Sequence, residues 1–63
     1  MTRKNFEELV LAKIEMEPAR AIYGWSEDHS KPVKVIKDYP KFDQVKFADG
    51  RVRQLSEVEL WIA

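Results

Sequence analysis

The sequence predicts an α+β fold in which one N-terminal amphipathic helix lies against a small, strongly bent antiparallel barrel of four or five strands. Apolar residues recur at helical spacing between Phe6 and Met16, and from Ala19 onward the period changes to that of strands. The pair Asp49-Gly50 stands between two β-prone runs, as a hairpin turn does. A chain of 63 residues buries only about 60% of its unfolded surface and cannot divide that between two cores, so residues 1–63 are expected to form a single domain, helix about 5–17 and barrel about 19–62.

The helix is expected to open at Asn5, whose side chain can cap unpaired N–H groups, with Glu7 and Glu8 in the first turn where the helix dipole favours carboxylates. Phe6, Leu9, Val10, Ile14 and Met16 then form the apolar side, Lys4, Glu8 and Glu15 the polar one, and Pro18 stops the helix near Glu17. Leu11 is the one apolar residue that this pattern leaves exposed.

Ile22, Tyr23 and Trp25 form the first β-prone run, and the polar stretch from Ser26 to Lys31 is a loop. Val33, Val35 and Ile36 make a second strand, which the Tyr-Pro within 38–41 breaks; a third runs from Phe42 to Ala48. A two-residue type I′ turn at Asp49-Gly50 would set Phe47 opposite Val52 on the core face and Lys46 opposite Arg53 on the solvent face. Ser56 to Glu59 reads as a capping box and one helical turn, before Leu60, Trp61 and Ile62 close the fold as a last short strand.

Composition excludes several classes. Eleven basic and eleven acidic side chains cancel, so no long-range field favours unspecific polyanion or membrane association. The charge is uneven, however. Residues 20–53 hold eight Lys or Arg against five Asp or Glu, a local excess of +3. The chain has no cysteine, which removes disulfides and thiolate metal sites and fits a reducing compartment. No apolar run approaches the roughly 20 residues that span a bilayer, and the N-terminus lacks a signal-peptide pattern, so a cytoplasmic location is expected.

Two segments carry a family resemblance: Val45-Lys46-Phe47-Ala48-Asp49-Gly50-Arg51-Val52, and Ser56-Glu57-Val58-Glu59-Leu60. Together they resemble the end of Tudor-type and related SH3-like barrels, over residues 19–62 with the helix outside the pattern. The resemblance implies an SH3-like barrel. It speaks to fold more than to function, since such barrels bind methylated peptides, bind nucleic acids or serve as accessory subunits. Ribosomal-protein-type barrels place a glycine-containing basic turn early, whereas Ser26-Glu27-Asp28-His29-Ser30 is acidic and lacks glycine, a departure that weakens the nucleic-acid reading.

Ser26, Asp28, His29 and Ser30 supply the residue types of a hydrolytic triad, but a triad aligns groups from separated elements, and neighbours in one loop do not. Glu27, Asp28 and His29 lack the second histidine or cysteine that a closed metal site needs. No enzyme, cofactor or metal is expected. Tyr23, Trp25, Tyr39 and Phe42 flank the loops where Tudor-like barrels build aromatic cages, and they are the candidate contacts for a peptide or protein; the competing role for each is core packing. Lys34, Lys46, Arg51 and Arg53 would form a basic stripe for phosphates on one outer face, if that face is more than a solvated one. The expected function is a small non-enzymatic interaction or regulatory module, monomeric or homodimeric, for a protein or peptide partner. Nucleic-acid binding through the basic stripe is the alternative.

Overall fold

A computed structural model describes residues 1–16, 20–27 and 31–63. The expected helix end at Glu17 and Pro18 lies outside the described residues, as do Asp28, His29 and Ser30 of the first loop. Helix α1 runs Arg3–Glu15. It starts before Asn5 because Thr2 is the cap: its hydroxyl accepts the backbone N–H of Asn5 at 3.1 Å, and its carbonyl accepts that of Phe6 at 3.0 Å. Phe6 is buried, with Leu9 and Val10 half-buried beside it on the core. The expected apolar side ends there. Ile14 and Met16 are 66% and 52% exposed, so only the first half of α1 covers the sheet.

Five strands follow: β1 (Ile22–Gly24), β2 (Val33–Tyr39), β3 (Gln44–Phe47), β4 (Val52–Gln54) and β5 (Leu60–Ile62). All pairings are antiparallel, in the order β4-β3-β2-β1-β5. The α+β class and the helix-on-sheet arrangement are as the sequence predicts, but the sheet is open where a closed barrel was expected. Strands β4 and β5 are its two edges. Between them the chain makes a 3-10 turn, Leu55–Glu57, whose backbone bonds elsewhere: Leu55 N–H donates to the Asp43 carbonyl, and the Met1 amino group donates to the carbonyls of Leu55 and Val58. Those links take the place of ladder pairing between the edges. The expected capping box is absent as well, since Gln54 precedes the turn without a side-chain cap and buried Leu55 anchors it.

Strand β2 is longer than expected and carries a bulge. Val35 pairs with Phe47 and Lys37 with Lys46, so Ile36 is the extra residue. Asp38 and Tyr39 continue the ladder opposite Val45 and Gln44, and the chain turns only at Pro40, leaving Phe42 in the turn instead of in a strand. Asp43 completes this turn in the left-handed region at φ 55°, a conformation that aspartate tolerates better than most residues.

The second hairpin also differs from expectation. Gly50 N–H donates to the Phe47 carbonyl at 2.9 Å, Phe47 N–H donates to that of Arg51 at 2.8 Å, and Gly50 has φ 91°. This is a three-residue loop over Ala48, Asp49 and Gly50, a turn followed by a left-handed glycine. The additional loop residue slips the register by one, so that Lys46 faces Val52 and Val45 faces Arg53. Val45 and Phe47 are fully buried, joined in the core by Phe6, Ile22, Leu55, Val58 and Leu60. Val52 therefore stands on the outer face, 45% exposed, and Arg53 on the inner side of the edge strand.

Candidate binding surfaces

The sheet separates the four candidate aromatics. Tyr23, half-buried on β1, pairs with Lys34 on one side and Trp61 on the other. Trp25 follows β1 and packs on Trp61, ring centroids 5.1 Å apart at 56°. Tyr39 ends β2 with the Lys37 ammonium 5.3 Å from its ring centroid, and Phe42 stands 68% exposed in the next turn. Val33 lies opposite Gly24, next to Trp25, and the six steps of strand from Val33 to Tyr39 span up to about 20 Å. The aromatics thus form two sites, one at each end of β2, and not one cage.

The Tyr39 end is the apolar one. Asp38, Tyr39, Pro40, Lys41 and Phe42 line a shallow cavity of about 410 Å³. Asp38 and Pro40 also line a neighbouring hollow of about 380 Å³ with Arg3, Phe6, Glu7, Val10 and Leu11, whose last residue is 61% exposed. Arg3 fixes the geometry of this corner. Its Nη1 donates to both carboxylate oxygens of Asp38 at 3.0 and 2.9 Å, its Nε donates to Asp43 at 2.7 Å, and its guanidinium carbon lies 5.4 Å from the Phe6 ring centroid. Burial works against the Arg3 charge, but hydrogen bonds to Asp43 and Asp38 and their negative charges outweigh it and raise its pKa above the ordinary arginine value. The part of α1 in this corner was legible as the exposed Leu11; the role of Arg3 was not.

At the Trp25 end a cleft of about 280 Å³ is lined by Trp25, Glu27, Arg53, Glu57, Val58 and Glu59. Arg53 is committed internally, donating to the Ser26 carbonyl at 2.7 Å and approaching Glu57 at 3.6 Å. Arg51 pairs with Glu27 at 3.0 Å and lies 3.9 Å from Asp49. The expected stripe is therefore divided: Lys34 and Lys46 stay on the outer face, while Arg51 and Arg53 tie the hairpin to the first loop. Buried Ser26 completes that tie by donating its hydroxyl to the Asp49 carboxylate, which also accepts the Arg51 backbone N–H at 3.0 Å. These two hydrogen bonds, the Ser26 one first, hold the Asp49 carboxyl below the ordinary aspartate range.

Ser26 is thus occupied as a donor within the loop. Among the described residues no group of three or more histidine, cysteine, aspartate or glutamate side chains is placed to hold a metal ion, and no helix is long and apolar enough to cross a membrane. No protein-family model, curated protein or solved structure matches the chain.

Proposed function

We propose that this chain is a small non-enzymatic interaction module that takes a protein or peptide partner at the corner formed by Tyr39, Pro40, Phe42 and Leu11. One observation carries the reading: Phe42, the most exposed large apolar residue described, walls an apolar cavity that continues onto the helix. Scattered surface apolar residues are ordinary, but here they adjoin, and Phe42 contributes nothing to the core. The turn that presents it is held by Arg3 through both Asp38 and Asp43, so the ring is offered from a fixed backbone. Such a corner suits a bulky apolar side chain of a partner, with the aromatics as the main energetic contributors.

The test is a panned peptide library. The wild-type chain is expected to enrich peptides with bulky apolar residues, and Phe42→Ser to lose them while its stability changes by no more than about 0.5 kcal/mol, as at a surface site. No enrichment, or equal binding by Phe42→Ser, overturns the reading.

A further inference from the structure

Among the described strand residues, the outer face of the sheet carries three lysines and no carboxylate. Lys37 and Lys46 are directly opposite in the β2–β3 ladder, which places their Cβ atoms within about 5 Å of each other, an arrangement that is unfavourable for like charges. The Ile36 bulge produces it. Val35 pairs with buried Phe47 on the inner side; without the extra residue Lys37, two positions on, would share that side, and with it Lys37 turns outward. Lys34 and Lys37 are both exposed, and Lys46 is half-buried. The nearest strand carboxylate, Asp38, faces inward opposite Val45 and is held by Arg3, while Asp43 and Asp49 belong to turns. No described strand residue on this face carries a charge that neutralises the lysines.

The lysines alternate with rings and amides. Tyr39 lies beneath Lys37, Tyr23 is opposite Lys34, and Gln44 stands between Tyr39 and Gln54 in the ladders. We infer that this face binds single-stranded nucleic acid, phosphates meeting Lys34, Lys37 and Lys46 and bases stacking on Tyr39 and Tyr23. A cationic track beside half-exposed aromatic faces is what sequence-tolerant strand binding requires. An acidic peptide would use the lysines but leave the rings and glutamines without a role. The face adjoins the Phe42 corner and shares Tyr39 with it but does not include Phe42, and its lysine set is not the stripe read from the sequence, because Arg51 and Arg53 are replaced by Lys37.

The experiment is fluorescence anisotropy with labelled oligo-dT and oligo-rU of about 15 nucleotides, a length near the upper site sizes of small strand-binding folds. Three phosphate contacts give a log–log salt slope of about −2, so affinity is expected to fall about 20-fold between roughly 50 and 200 mM salt. Lys37→Gln with Lys46→Gln should reduce the slope to about −0.7, and Tyr39→Leu should weaken binding while leaving the slope unchanged. Phe42→Ser should bind like the wild type, which keeps this inference distinct from the peptide site. Comparison of the two oligomers shows whether DNA or RNA is preferred. Lys37→Gln should also raise the urea midpoint of the free protein by relieving the like-charge pair. Absence of saturable binding at about 20 mM salt, equal competition by oligoglutamate of the same length, or undiminished binding by the double lysine variant overturns the inference.

Discussion

Arg3 and Asp38, 35 residues apart in the chain, meet through one guanidinium nitrogen that contacts both carboxylate oxygens, at 2.9 and 3.0 Å. With Asp43 on its Nε, Arg3 is the electrostatic clasp between α1 and the turn after β2. Arg3→Lys keeps the charge but loses the planar fork that reaches two carboxylates at once. Both acids are partly exposed, which screens the interaction, so a loss of about 1 kcal/mol is expected from urea denaturation. An unchanged midpoint would show that the clasp does not contribute.

The two glycines should answer differently to the same change. A Cβ at Gly24 would lie 2.5 Å from Leu60 Cδ2, 2.8 Å from the Glu59 carbonyl oxygen and 3.2 Å from Phe47 Cε1. Part of that contact is backbone, so Gly24→Ala should cost about 1–3 kcal/mol through overpacking at the β1–β5 ladder. Gly50 has nothing within 4 Å of such a Cβ but sits at φ 91°, so Gly50→Ala should cost about 1–2 kcal/mol through backbone strain alone. Near-ultraviolet circular dichroism separates the cases: the Gly24 variant should alter the aromatic signal of Trp25 and Trp61, and the Gly50 variant should not.

Only the first half of α1 should matter for stability. Phe6→Ala is expected to cost about 3–5 kcal/mol, enough to unfold a marginal domain, whereas Ile14→Ser and Met16→Ser should stay within about 0.5 kcal/mol. A large loss at Ile14 in thermal unfolding would show that the helix packs along its whole length.

Asp49 gives a pH prediction with a definite sign. Its carboxyl is held below the ordinary aspartate value of about 3.9, so its contribution to stability is fully present above that value and is lost as pH falls through the lower folded value. Ser26→Ala removes the principal cause. In a carboxyl-detected NMR titration Asp49 should then protonate at a higher pH than in the wild type, and the stability gap between the two proteins should narrow as pH falls below the ordinary aspartate value of about 3.9. An Asp49 titration that is the same in both proteins would remove Ser26 from this role.

Period and punctuation in the sequence were enough for the helix, the strands and the final strand at Leu60–Ile62. Pairing details were not, because one residue decides them. Ala48 reads equally well as the end of a strand or the first residue of a loop, and placing it in the loop moves Lys46 from Arg53 to Val52. The bulge at Ile36 leaves no mark in a run of Val, Lys and Ile, yet it determines that Lys37 joins the outer face. Pattern alone does not single out Thr2 as the cap, because Asn5 offers the same chemistry three residues later. The candidate aromatics were legible as residue types, while their division between two ends of β2 depends on strand length.

The strand order also bears on the time course of folding. Strands β2, β3 and β4 are joined by short turns, so their ladders need little loop closure. Strand β5 follows β4 in the chain but lies at the far edge, where Ile62 meets Ile22, 40 residues earlier in the chain. Non-local pairing of this kind forms after local pairing has reduced the entropy to be lost. The meander is therefore expected to form early and the β1–β5 ladder late, and in native-state hydrogen exchange the amides of β5 should open at lower free energy than those of β3. Early protection of Trp61 and Ala63, whose amides face β1, in pulse-labelled refolding would reverse that order and make the β1–β5 pairing the nucleating event.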